Sequence, residues 1–84
     1  MAARKRKEYG QYIVSDPGIC HGHLTFKGTR ILVKDVLHYV GQGKDWAWII
    51  EAYDNSINHA AIAEAVNLAN QTLIEKIEKR RRAA

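Results

Sequence analysis

The sequence predicts a mainly α-helical domain, in which a short N-terminal β-hairpin precedes a three-helix, helix-turn-helix-like unit with an extended C-terminal helix. Short β-prone runs between turn residues occupy positions 12–32, and from residue 33 the apolar residues recur at helical spacing. A chain of 84 residues is enough for one small domain and not for two. We predict a disordered basic arm at 1–9, the domain at 10–75 and a basic helix end or tail at 76–84.

The β part is predicted from three short runs. Tyr12-Ile13-Val14 is the first, and Ser15-Asp16-Pro17-Gly18 after it is a turn signal. Leu24-Thr25-Phe26 and Arg30-Ile31-Leu32 are expected to pair around a tight turn, where Gly28 accepts the positive φ that other residues resist. None of these strands is stable alone, so we expect them to depend on the helices.

Three helices account for the rest of the domain. The first has its apolar face from Val33 to Val40 and ends at Gly41-Gln42-Gly43, and Asp45 can cap the second. The third is expected from about residue 59 to about residue 80. Asn58 is its best N-cap because the side chain can accept from free amides of the first turn, and Ser56 is a competing cap.

Charge is concentrated at the two ends of the chain. The net charge is +4, of which residues 1–8 carry +3 and residues 76–84 carry +4, while residues 9–75 carry −3. Basic ends can contact phosphate without reading sequence, or they can be solvated segments that aid solubility.

No apolar run approaches the ~20 residues needed to cross a bilayer, and the N-terminus does not resemble a secretory signal. We therefore expect no membrane association.

The run Cys20-His21-Gly22-His23 is the one pattern with metal or nucleophile chemistry. Cys20 is the only cysteine, which excludes an intramolecular disulfide and favours a reducing cytoplasm. A structural zinc site needs four ligands, and His38 and His59 are expected on separate helices. Adjacent side chains on an extended segment diverge, so a Cys20–His21 catalytic pair is disfavoured. We expect no metal, no cofactor and no enzymatic activity.

The block Lys27-Gly28-Thr29-Arg30-Ile31, after the Asp16-Pro17 turn and before three short helices, resembles the bacterial domain of unknown function 433 family over about residues 9–72. The resemblance implies a homeodomain-like helix-turn-helix preceded by a small β element. It also implies a role as a VapB-like antitoxin that binds DNA and neutralises a PIN-like ribonuclease toxin. The chain departs from the family pattern at His21–Phe26 and in having no Lys or Arg between residues 58 and 75.

DNA reading would depend on the outward face of the third helix. If Ile62, Val66 and Ala69 face the core, the polar residues lie on the opposite side. Asn and Gln can read adenine through paired hydrogen bonds, alanine can touch a thymine methyl, and lysines can contact phosphate. The predicted nucleic-acid-binding residues are Asn58, His59, Ala63, Asn67, Asn70, Gln71, Lys34 and Lys44. The alternative is an ordinary solvated helix face.

Protein binding would use apolar residues beyond the small core. Leu73, Ile74 and Ile77 form a patch that would pack against a twin helix or another protein. Trp46 and Trp48 cannot share a helix face, so one of them is expected at an interface or over the hairpin, and we place Trp48 at the interface.

Taken together, these patterns predict an antitoxin-like regulator that forms a dimer in the cytoplasm, contacts operator DNA and masks a ribonuclease toxin. The alternatives are an oligomerisation or adaptor module that binds protein only, and a scaffold subunit.

Overall fold

The computed structural model describes residues 5–83, with side chains described as far as residue 78. The fold is mixed α and β rather than mainly α, because a three-stranded sheet replaces the predicted hairpin. The elements in chain order are β1 (Lys7–Glu8), β2 (Ile13–Ser15), β3 (Leu24–Phe26), α1 (Val33–Gly41), α2 (Trp46–Ala52) and α3 (His59–Ala83). A short 3-10 turn at Cys20–Gly22 connects β2 to β3.

The sheet is antiparallel with strand order β1-β2-β3. In the register of β2 and β3, Ile13 pairs with Phe26 and Ser15 pairs with Leu24. Residues 30–32 were predicted to pair with β3 as a strand. They make only one isolated bridge, between Thr25 and Leu32, so the predicted pairing is wrong for most of this segment. The reason is local: Thr29 accepts the Ile31 N–H at 3.0 Å and closes the turn tightly, and α1 begins directly afterwards. The predicted positive φ at Gly28 is confirmed, at 76°.

Strand β1 lies within the segment predicted to be a disordered arm, and for Lys7–Glu8 that prediction is wrong. The strand pairs with the outer edge of β2. Ion pairs support it: Lys27 Nζ lies 3.1 Å from a Glu8 oxygen, and Arg6 lies 3.5 Å from Glu8. These side chains are substantially exposed, so each pair adds little stability. Residues 1–4 of the predicted arm, and the side chains at 79–84 of the predicted basic end, lie outside the described residues.

The core lies where the sheet meets the three helices. Ile13 from β2 and Phe26 from β3 are almost fully buried, as are Val36 of α1, Ile49 of α2 and Ile62 of α3. These five residues, one each from β2, β3, α1, α2 and α3, meet in a single hydrophobic cluster. The other members of this cluster are Val33, Ile57, Ala61 and Ala65. In a domain of this size such burial leaves little margin, so the ends of the elements matter.

The predicted C-terminal end of α1 and the predicted cap of α3 are confirmed, whereas the side-chain cap predicted for α2 is not formed. Gly43 has a φ of 83°, and the Lys44 N–H donates to the Tyr39 carbonyl at 3.1 Å, which closes α1 in a Schellman motif. Asn58 Oδ1 accepts the Ala61 N–H at 2.8 Å and caps α3. Asp45 stands at the N-cap position of α2 but makes no side-chain capping bond.

Replacing Asn58 with alanine removes this side-chain acceptor at the start of α3. We expect the free energy of unfolding to fall by about 1 kcal/mol, since loss of an N-cap costs ~0.5–2 kcal/mol. Urea denaturation followed by circular dichroism measures the change. Asn67→Ala is the matched control, because Asn67 is exposed within the same helix. Equal losses in the two variants would contradict the capping role.

Candidate functional site

The outward face of α3 carries most of the predicted nucleic-acid-binding residues. His59, Asn67 and Asn70 are exposed, whereas Ile62 and Ala65 on the opposite side are buried. The separation of polar and apolar faces predicted for this helix is therefore present. The polar face is not uniformly open, because one edge of it meets the segment that precedes β2.

That edge forms a shallow groove between α3 and residues 9–12. Half-buried Ala63, with Asn67 and Gln71, lines the α3 side, while Tyr9 and Tyr12 line the other. The sequence prediction placed this side of α3 outward and did not include residues 9–12 as its neighbour. The side-chain amides of Asn67 and Gln71 therefore border a concave surface, and residues 9–12 form the other side of it.

The side chain of Glu64 joins the two sides of this groove. Its two carboxylate oxygens accept the backbone N–H groups of Gln11, at 3.2 Å, and Tyr12, at 3.0 Å. Hydrogen bonds to a charged acceptor are stronger than neutral ones, so this contact holds the start of β2 against α3. The carboxylate also packs directly on Gly10, whose φ is 156° and where a Cβ would overlap the Glu64 side chain. Glu64 was not among the predicted site residues, although it is the only charged residue between 58 and 74.

Two of the predicted DNA-contacting residues already have partners within the chain. Asn58 uses its side-chain oxygen as the cap of α3. His59 stacks on Trp46, with ring centroids 6.0 Å apart and an interplanar angle of 29°. Both residues are exposed, but these contacts limit the orientation that each can present to a ligand.

The two predicted phosphate-contacting lysines lie outside α3. Lys34 is exposed in the first turn of α1, and Lys44 is exposed in the connection from α1 to α2. Lys44 Nζ lies 4.8 Å from the centre of the Trp48 ring, a cation–π distance. Any phosphate contact by these lysines would therefore be made from α1 and from the α1–α2 connection, and not from α3.

Trp46 and Trp48 diverge, as their spacing predicts. Trp46 is half-buried against the core, and Trp48 is 45% exposed. Trp48 rests edge-on against Tyr39, with centroids 5.3 Å apart, and Tyr39 in turn contacts Tyr53. Trp48 thus sits on an aromatic cluster of α1 and α2 and is partly open to solvent.

Burial, with smaller contributions from Tyr39 and Asp35, raises the pKa of Tyr53 above its ordinary value of 10.0.

The predicted apolar patch on α3 is exposed: Leu73 is 60% open, Ile74 54% and Ile77 47%. It adjoins a larger apolar groove of about 750 Å³ between α3, α1 and the sheet. The groove lining is formed by Tyr9, Ser15, Gly22, His23, Leu24, Val33, Leu37, Ala65, Leu68, Ala69, Thr72, Leu73 and Lys76. Leu73 belongs to both surfaces, so the patch and the groove form one continuous apolar area.

The Cys20–Gly22 turn has an unusual backbone conformation. Cys20 and His21 have φ values of 48° and 58°, a left-handed conformation that costs energy for residues with a side chain. Cys20 Sγ lies 3.7 Å from the Arg30 carbonyl oxygen. Within the described part of the chain, no three His, Cys, Asp or Glu side chains are grouped so that they could hold a metal ion.

Residues 13–69 match the family model described as protein of unknown function (DUF433). The chain belongs to this family. The match extends from β2 into α3, so it includes Glu64 and Asn67 but neither β1 nor the exposed patch around Leu73. Searches of curated proteins and of solved structures return no match. Among residues 5–83, no helix has the length and apolar character to cross a membrane.

The Glu64 contact is tested by Glu64→Gln, which preserves the shape and replaces one acceptor oxygen with a donor NH₂. We expect a loss of about 1–3 kcal/mol in the free energy of unfolding, since one backbone N–H then faces a donor. Urea denaturation gives the value. Glu75→Gln, an exposed carboxylate on the same helix, is the control and should change stability by less than ~0.5 kcal/mol. Comparable effects at the two positions would contradict the contact.

The raised pKa of Tyr53 predicts a loss of stability at alkaline pH. The unfolded chain releases this proton first, so the stabilisation is complete below the ordinary pKa of 10.0 and disappears as pH rises through the folded value. Urea denaturation from neutral pH to above this range, compared between the parent chain and Tyr53→Phe, isolates the effect. Identical pH profiles would show that Tyr53 does not contribute.

Proposed function

We propose that this DUF433 protein is an antitoxin-like, DNA-binding regulator of the cytoplasm, which neutralises a PIN-like ribonuclease toxin by protein binding and has no catalytic activity of its own. The observation that carries the proposal is the division of α3 into two halves. The first half is anchored in the core and presents exposed amides, and the second half presents exposed apolar residues. One helix thus offers a polar surface for reading and an apolar surface for binding.

DNA reading is assigned to the outward face of the first half of α3. In this proposal α2 and α3 act as a helix-turn-helix, with residues 53–58 as the turn, and α3 enters the major groove. Exposed Asn67 can pair with an adenine edge, and Ala63 can contact a thymine methyl. Lys34 of α1 and Lys44 of the α1–α2 connection, both of which are exposed, would contact phosphates.

Binding of the ribonuclease is assigned to the exposed apolar side chains. Trp48 presents a large, partly exposed aromatic ring, and tryptophan is enriched among the residues that contribute most to protein binding. Leu73, Ile74 and Ile77 form the second apolar area.

A protein-only adaptor is the second candidate. It is favoured by one observation: α3 carries no Lys or Arg between residues 58 and 75, whereas DNA-binding helices usually supply cations to the backbone. The two candidates differ in a single measurable property, which is whether the chain distinguishes one duplex sequence from another.

Fluorescence anisotropy with the duplex upstream of the protein's own gene, against a scrambled duplex, tests DNA reading. We expect Asn67→Ala to weaken binding to the specific duplex by about 5–100-fold, since one bidentate base contact contributes ~1–3 kcal/mol. The salt dependence should not change, because Asn67 neutralises no phosphate. Lys44→Ala should instead weaken binding to both duplexes and lower the salt slope by about 1.

Gln42→Ala is the matched control for these variants, because it removes an exposed amide from the α1–α2 connection. It should bind like the parent chain. If the parent chain binds neither duplex, the regulator proposal is wrong and the protein-only adaptor remains. If it binds both duplexes equally, sequence reading is absent and the regulator proposal is also wrong.

A further inference from the structure

The segment 9–12 lies against the side of α3 to which DNA reading is assigned. Tyr9 and Gln11 of this segment are exposed, and they share a groove with Ala63 and Asn67 of the helix. Two backbone hydrogen bonds to a carboxylate of α3 hold the segment in place. Any large ligand of this face of α3 therefore meets the segment as well.

The dimensions of duplex DNA decide what residues 9–12 would meet. The major groove is about 12 Å wide, and an α-helix with its side chains is about 10–12 Å across, so one helix fills the groove. A second stretch of chain at the edge of the same helix face has no room between the two DNA backbones. It would instead rest on the sugar–phosphate backbone that borders the groove.

We propose that Lys7, Tyr9 and Gln11 form a phosphate-binding edge beside α3, which contacts the DNA backbone while the helix reads the bases. This inference rests on the proposed function and adds phosphate contacts that are held directly against the reading helix. The side-chain types fit, since a Tyr hydroxyl and a Gln amide donate hydrogen bonds to phosphate oxygens and a Lys ammonium adds an ion pair.

Lys7 projects from the side of the sheet that faces α3. The register pairs Lys7 with Ser15, and Ser15 lies two residues after Ile13, which enters the core. Paired residues and alternate residues of a strand face the same side, so Lys7 shares the side of Ile13. The Lys7 amine lies 5.1 Å from the centre of the Tyr9 ring. The charge is thus next to the segment that borders the reading face.

The neighbouring cations of the sheet are paired with carboxylates. Lys27 Nζ lies 3.1 Å from a Glu8 oxygen. Arg6 lies 3.5 Å from Glu8 and 4.0 Å from Asp16. Glu8 directly follows Lys7 in β1, so it faces the opposite side of the sheet. Among the described side chains, no carboxylate forms an ion pair with Lys7, which leaves its charge available for a phosphate.

This edge supplies a cation that the reading helix lacks. Helix α3 carries no Lys or Arg between residues 58 and 75, although docking in the major groove places it between two rows of phosphates. Glu64, the only charged residue between 58 and 74, is directed at the backbone of residues 11 and 12. The same contact that turns this carboxylate toward the protein holds the phosphate-binding edge against α3.

Fluorescence anisotropy at several salt concentrations tests the contact made by Lys7. With the scrambled duplex, which measures backbone binding alone, Lys7→Ala should lower the salt slope by about 1, because one phosphate is no longer neutralised. Lys27→Ala is the matched control, since the Lys27 amine is already paired with Glu8, and its slope should equal that of the parent. A Lys7→Ala slope equal to the parent's overturns the proposal.

The uncharged contacts are tested by Tyr9→Phe, which removes only the hydroxyl, and by Gln11→Ala. Each variant should weaken binding to the specific and the scrambled duplex by the same factor, about 2–10-fold, since each loses one hydrogen bond. The salt slope should not change, because neither side chain is charged. A loss confined to the specific duplex would show that these side chains contact bases, and the phosphate assignment would be wrong.

The same titrations separate this proposal from the regulator proposal. If the parent chain does not distinguish the duplexes, but Lys7→Ala lowers the salt slope and Lys27→Ala does not, the phosphate-binding edge stands and the regulator proposal is wrong. If the duplexes are distinguished and Lys7→Ala keeps the slope of the parent, the edge is wrong and the regulator stands. A parent chain that binds neither duplex overturns both.

Discussion

The fold depends on one carboxylate that joins two parts of the chain far apart in sequence. Glu64, in the first half of α3, holds the backbone N–H groups of Gln11 and Tyr12 and thereby fixes the entry into the central strand β2. The strands are only two or three residues long, and strands of this length have no stability of their own. By holding β2 against α3, Glu64 also sets the position of Tyr9, which borders both surface grooves.

The sequence predicted features that neighbouring residues determine. The helical spacing after Val33, the positive φ at Gly28 and the cap at Asn58 each depend on a few adjacent positions, and the structure confirms them. The divergence of Trp46 and Trp48 follows from helix geometry in the same way.

Features that depend on distant contacts were not predicted. Strand β1 consists of two charged residues with no apolar alternation, and it exists because β2 offers a free edge. Residues 30–32 are β-prone, yet they turn into α1, so β3 takes β2 as its main partner. The helical periodicity correctly predicted that the Asn67 side chain is exposed, but it could not show that residues 9–12 lie beside this side chain.

The close approach of Gly10 to Glu64 limits which side chains can occur together at these two positions. Any side chain at position 10 would collide with the carboxylate at position 64, while a shorter residue at position 64 would leave space and remove the two acceptors. Substitutions at positions 10 and 64 are therefore coupled to each other. Gly10 lies before the segment 13–69 that matches the family model, so this coupling is expected only in relatives whose sequences align with this chain as far as position 10, and those that carry a larger residue there should lack the glutamate.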